Sequence, residues 1–153
     1  MVSAGAVALA WTVLRDGALA GPENMARDEA LARRVAGATE AGGDTLPAFL
    51  RFYAWVRPTL SFGRNEPARD RFDPAALEAA GIDVVRRPTG GRAVLHHREV
   101  TYAVAVPARA LGGPRDTYRR INEALARGLA ELGAEVGLAR DRPAPGLDAG
   151  PCF

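Results

Sequence analysis

Arg86-Arg87-Pro88-Thr89-Gly90-Gly91-Arg92-Ala93-Val94-Leu95-His96 is the stretch on which the fold and the site both turn. It leaves a β-type run, Ile82 to Val85, and enters another at Ala93–Leu95, so the loop between Arg87 and Arg92 must reverse the chain. Paired glycines accept positive φ and let the backbone come close to a ligand, with successive N–H groups free to face an anion. Arg86, Arg87 and Arg92 flank the turn, and a guanidinium holds a carboxylate or phosphate bidentately. His96 lies just past it, and strand alternation sends His97 to the other face. Two readings follow from these residues: a site for an acidic small molecule, or a tight hairpin dressed with surface arginines.

Outward from the loop, the chain alternates short strands and helices without strict order. Ala8–Leu14 reads as a first strand closed by an Asp16-Gly17 turn, and Gly21-Pro22-Glu23-Asn24 opens a helix with Met25, Leu31 and Val35 near one face. Residues 37–44 are small and polar and read as a loop. Ala48–Trp55 and Thr59–Gly63 are strands separated by Arg57-Pro58. Asp73-Pro74 is an N-cap followed by a first-turn proline, giving a short helix to Ala80 that Gly81 stops. After strands at Ala93–Leu95 and Val100–Val106, Asp116 or Thr117 caps a helix running through Leu132, with Gly133 as its stop. From Arg140 the chain is Pro- and Gly-rich coil. Adjacent hairpin-like strand pairs favour a mixed sheet with helices packed on it, an α+β arrangement.

The 153 residues suit one domain, and 48% hydrophobic with 25% charged residues is the balance of a globular core rather than a disordered chain. A net charge of +2 is too small for a nucleic-acid or membrane-surface polycation. All 20 basic residues are arginine, which excludes any mechanism needing a lysine amine within this chain. Cys152 is the single cysteine, so no intrachain disulfide forms. The apolar Val2–Ala10 run is short and lacks a basic start, which fits neither a signal peptide nor a membrane span and points to the cytoplasm.

The Arg86–His96 stretch resembles the RRxxGGxxVxH signature of the lipoate–protein ligase and octanoyltransferase family, which shares its catalytic domain with biotin protein ligases. Further segments resemble the family in order: Gly21–Leu31 its first helix, Leu50–Trp55 and Leu60–Arg64 its next strands, Val100–Val104 the strand after the histidine. The resemblance runs from about Trp11 to Phe153. It implies a class II synthetase-like α+β fold, with residues 1–153 forming a single biotin/lipoate ligase catalytic domain that is C-terminally truncated. It further implies that Arg86, Thr89, Gly90, Gly91, Arg92 and His96 form a wall against the acyl group's carboxyl end, and that Trp55 and Asp28 line the acyl pocket. His97 departs from the Asp that commonly follows the family's histidine.

The resemblance leaves two chemistries open. A ligase uses ATP, magnesium and lipoate with a lysine near the acyl phosphate. An octanoyltransferase needs no cofactor and takes its acyl group from acyl carrier protein through a cysteine thioester. Cys152-Phe153 resembles the Cys-Phe pair of the transferase subgroup in which the cysteine is the nucleophile, a role for which a thiolate is suited. From the residues alone, a lone cysteine reads first as a small buried hydrophobe. The acceptor in either branch is a lipoyl-domain protein, such as glycine cleavage H protein or the E2 component of a 2-oxoacid dehydrogenase. Neither nucleic acid, membrane nor metal is expected as a partner. An inactive acyl-binding remnant is the third reading, whereas a biotin ligase is disfavoured because no helix-turn-helix precedes the domain.

Overall fold

The structure is a computed structural model that describes residues 7–68 and 71–138. Two three-stranded sheets carry it, each a β-α-β unit with one antiparallel strand added. In the first sheet, β1 (Ala8–Leu19) pairs in parallel with β2 (Thr45–Trp55) across the crossover helix α1 (Gly21–Ala41). Strand β6 (Thr101–Ala105) runs antiparallel on the other side of β2, from Phe49↔Ala105 to Tyr53↔Thr101. In the second, β3 (Thr59–Phe62) pairs in parallel with β4 (Asp83–Arg86) across α2 (Pro74–Ala79), and β5 (Val94–His96) lies antiparallel on β3. Helix α3 (Pro114–Glu131) follows β6. The strands thus form two mixed sheets where a single one was expected.

Local chemistry explains where elements begin and end. Asp73 Oδ1 accepts from the Ala75 N–H at 2.9 Å and Pro74 occupies the first turn, so α2 starts where capping requires. Gly81, at φ 68°, turns the chain into β4. Three expectations give way. The Asp16-Gly17 turn does not end β1; parallel pairing with β2 carries the strand to Leu19 and absorbs those residues as an irregularity between Arg15 and Ala18. Helix α1 continues through Gly37 to Ala41 before Gly42, at φ 77°, stops it, so helix replaces much of the expected loop. Helix α3 starts at Pro114 behind Gly113, ahead of Asp116 and Thr117.

Leu60, Phe62 and Ala93 form a core cluster, with Phe72, Leu77, Ile82 and Leu95 packed against it. Phe62 meets Phe72 edge-on at 5.3 Å between centroids. On β3, Leu60 and Phe62 belong to this apolar side, while Ser61 hydrogen-bonds His96 and Thr59 meets α1. Helix α1 spans both sheets. A Cβ on Gly21 would stand 2.9 Å from both Thr59 Cγ2 and Val85 Cγ1 of the second sheet. Asn24, fully buried, donates from Nδ2 to the Ala54 carbonyl of the first at 3.0 Å.

A buried arginine ties β1, α1 and β2 together. Arg51 is 0% exposed. Its Nε donates to Asp16 Oδ2 at 2.7 Å, Nη1 to Asp28 Oδ1 at 2.7 Å and to the Asn24 carbonyl at 3.1 Å, and Nη2 to Asn24 Oδ1 at 2.7 Å. The guanidinium also lies 4.0 Å over the Tyr53 ring, whose hydroxyl donates to Asp28 Oδ2 at 2.9 Å. Burial, and then the Asp28 carboxylate, push the Tyr53 hydroxyl well above its ordinary range, so it remains a donor throughout working pH. The hydrogen bond from Arg51 holds the Asp16 carboxyl below its ordinary 3.8. A depressed pKa contributes stability that is complete above the unfolded value and is lost as pH falls through the folded one. Stability to urea is therefore expected to fall as pH drops from about 5 into the acid range, and Asp16→Asn to flatten that dependence. An unchanged pH slope in the variant would remove Asp16 from the account.

Candidate functional site

The loop between β4 and β5 is held by the arginines that precede it. Arg86 Nη1 donates to three carbonyls on the segment after β3: Gly63 at 2.6 Å, Glu66 at 2.9 Å and Arg64 at 3.3 Å. Arg87 Nη1 donates to the Ser61 carbonyl at 2.8 Å and to Ser61 Oγ at 3.2 Å; its Nη2 donates to the Gly90 and Arg92 carbonyls at 2.8 and 2.6 Å. The Arg64 N–H closes the gap by donating to the Thr89 carbonyl at 2.8 Å. Expected as holders of an acidic ligand, Arg86 and Arg87 use these donors on the protein's own backbone and so set the loop's shape.

The glycines divide the labour. Gly63 lies so close under the loop that a Cβ there would overlap the Gly91 carbonyl. Gly91 sits at φ 97°, and its Cβ would meet Arg87 Nη2 at 2.8 Å. Gly90, by contrast, has nothing within 4 Å of a Cβ position. The loop is therefore fixed on its Gly63 side and open at Gly90. Valine at Gly91 is strained by its positive φ and by Arg87.

Behind the loop, His96 is 8% exposed and fully engaged. Its ring stacks on Trp55 at 4.2 Å with 15° between planes. Nε2 lies 2.8 Å from Ser61 Oγ and Nδ1 lies 2.6 Å from Glu99 Oε1. Trp55 Nε1 donates to Thr101 Oγ1 at 2.8 Å, and that hydroxyl donates to the same Glu99 oxygen at 2.6 Å. The Glu99 carboxylate can only accept, so Nδ1 carries a proton, and both ring nitrogens are engaged within the protein.

Thr89, Gly90, Gly91 and Arg92 thus lie at the Phe62 end of the β3–β5 ladder, braced by Arg86 and Arg87, while His96 pairs with Thr59 at the other end, stacks on Trp55 and reaches the loop only through Ser61 and Arg87. Asp28, expected at an acyl pocket, is bonded to Arg51 and Tyr53. His97 is exposed. Cys152 lies outside the described residues. Glu99 and Ser61 were not foreseen; the one available signal was an acid three residues past His96 across a turn. A cavity of about 770 Å3, lined by Phe62, Phe72, Leu77 and Ile82, opens on the α2 side of β3, away from Ser61 and His96. No described helix is long and apolar enough to cross a membrane.

Two mixed sheets flank a glycine-rich loop braced by paired arginines. Residues 21–145 match the lipoyl protein ligase A/B catalytic domain, and the chain belongs to that family. It is 42% identical over 130 residues to octanoyltransferase LipM of Symbiobacterium thermophilum, covering 84% of this chain and 45% of that protein. To the octanoyltransferase LipM of Kyrpidia tusciae it is 44% identical over 133 residues, 85% of this chain and 46% of the relative. A bipartite lipoate protein ligase from Thermoplasma acidophilum superposes with a TM-score of 0.56 at 25% identity, over 84% of this chain and 49% of that one. The chain spans about half the length of the curated relatives it matches. Its α+β fold is of the class II synthetase-like kind.

Proposed function

We propose that these residues form the acyl-binding half of an octanoyltransferase catalytic domain that moves octanoyl from acyl carrier protein to a lipoyl-domain protein without ATP. The observation that carries the reading is the loop's asymmetry: locked onto Gly63 and Arg87 on one side, unobstructed at Gly90 on the other. An acyl carboxyl end seated there would meet the backbone of Thr89–Arg92. Relatives named as octanoyltransferases favour transfer over ATP-dependent ligation.

In the proposed chemistry the Cys152 thiolate attacks the carrier-bound thioester carbonyl. A new C–S bond forms, the carrier's sulfur leaves as a thiolate and is protonated. The acceptor lysine amine then attacks the Cys152 thioester, forming the amide, losing its proton and releasing the Cys152 thiolate. Both steps conserve the acyl group and require no oxidant, reductant or nucleotide.

The test is a chimera in which residues 21–153 replace the matching part of the Symbiobacterium relative. Incubated with octanoyl carrier protein and no ATP, it is expected to gain one octanoyl mass and to octanoylate a lipoyl domain, both lost in Cys152→Ser. Ligation that requires ATP and survives Cys152→Ser would assign the chain to the ligase branch; absence of both activities would leave it an acyl-binding remnant.

A further inference from the structure

Glu99 stands at the start of a bonded chain that ends on the loop. Its Oε1 meets His96 Nδ1 at 2.6 Å; His96 Nε2 meets Ser61 Oγ at 2.8 Å; Ser61 Oγ and carbonyl receive Arg87 Nη1; and Arg87 Nη2 holds the Gly90 and Arg92 carbonyls at 2.8 and 2.6 Å. Glu99 accepts, so Nδ1 carries a proton; in the neutral ring Nε2 then accepts from Ser61, whose lone pairs are left for Arg87. The backbone supports the contact at a cost. Arg98 sits at φ 51°, a conformation disfavoured for a residue with a Cβ, and this bend returns Glu99 toward His96.

We infer that Glu99 is a positioning residue: it fixes the His96 tautomer and, through Ser61 and Arg87, the backbone geometry of Gly90–Arg92. It touches no acyl group itself. Bonded chains of this kind are cooperative, so loss of the first acceptor is felt at the last donor. The inference rests on the reading of the loop as an acyl cradle, and its primary readout does not depend on that reading. One oxygen of Glu99 accepts from both His96 and Thr101, so glutamine reproduces both bonds and alanine neither.

The experiment records nitrogen–proton correlations of the His96 ring and the Gly90 and Gly91 amide resonances in the full chain, for wild type, Glu99→Gln and Glu99→Ala. The expected result is an Nδ1–H tautomer in wild type and Glu99→Gln. In Glu99→Ala that signature is lost, both glycine amides are displaced, and octanoate binding by calorimetry is weaker by about fivefold or more. Glu99 is a surface-turn residue with a side chain 37% exposed, so thermal melts are expected to show all three folded. An unchanged tautomer in Glu99→Ala, or glycine amides that do not move when it changes, would overturn the inference. If wild type fails to bind octanoate while the tautomer and amides respond as expected, the cradle reading falls and the positioning role stands.

Discussion

Arg51→Ala is expected to cost about 3–5 kcal/mol, measured as a fall in the urea midpoint, because it strands two carboxylates and a buried amide around an emptied space. The loss is a large part of the roughly 5–15 kcal/mol that stabilises a domain. Asp16 and Asp28 would each lose a 2.7 Å charged bond, Asn24 the partner for its side-chain oxygen, and Tyr53 the cation over its ring. Arg51→Lys is expected to recover only part of this, since one ammonium cannot reproduce a fork directed at Asp16, Asn24 and Asp28 together. A midpoint within experimental error of wild type for the alanine variant would mean that the network is incidental to stability. Arg51→Met tests whether burial of apolar bulk offsets the ionic loss, as it does at some buried pairs.

The second large effect is a contrast between two glycines a few ångströms apart. Gly63→Ala is expected to force the loop off β3, because the new methyl and the Gly91 carbonyl would occupy the same space. Breaking the Arg86 bond to the Gly63 carbonyl at the same time should cost about 2–4 kcal/mol in thermal or urea unfolding. Gly90→Val adds more volume where nothing stands within 4 Å, so its melting temperature should stay close to wild type. In the chimera described above, however, it should abolish octanoyl transfer by filling the space reserved for the acyl carboxyl end. Normal turnover in Gly90→Val would sink the cradle; normal stability in Gly63→Ala would show that the loop is not seated as described.

These two sites differ in how much of them could be read beforehand. Gly90-Gly91 and the arginines around them announce a special loop because glycine pairs and arginine forks are local signals. Much of their role is not local: Arg86 donates to carbonyls 20–23 residues earlier and Arg87 Nη1 to one 26 residues earlier, so a sequence reading assigns them to a ligand. Arg51 sits in an aromatic strand whose pattern is clear, yet its partners lie 35, 27 and 23 residues away. Asp16 illustrates the same limit from the other side. Next to Gly17 it is a turn signal, but ten paired positions with β2 and one buried guanidinium outweigh it. Strands and the α2 cap were legible because their determinants are neighbours; the end of α1 at Ala41 was not, because the small residues before it leave the boundary open, and at α3 the first-turn proline Pro114 outweighs the Asp116 and Thr117 caps.

The Trp55–His96 stack also has a consequence for the order in which the molecule assembles. Trp55 is the last residue of β2 in one sheet, and His96 is the last residue of β5 in the other. The chain leaves the first sheet after β2, builds the whole of the second, and returns only with β6. Contacts so distant in sequence are slow to form, since the intervening chain must be ordered before they stabilise anything. The stack, and the Thr101 bond that accompanies it, are therefore expected to form late. In hydrogen exchange, the amides of His96 to Thr101 should open together and at lower free energy than those of β2 and β3, making this corner the first cooperative unit to come apart.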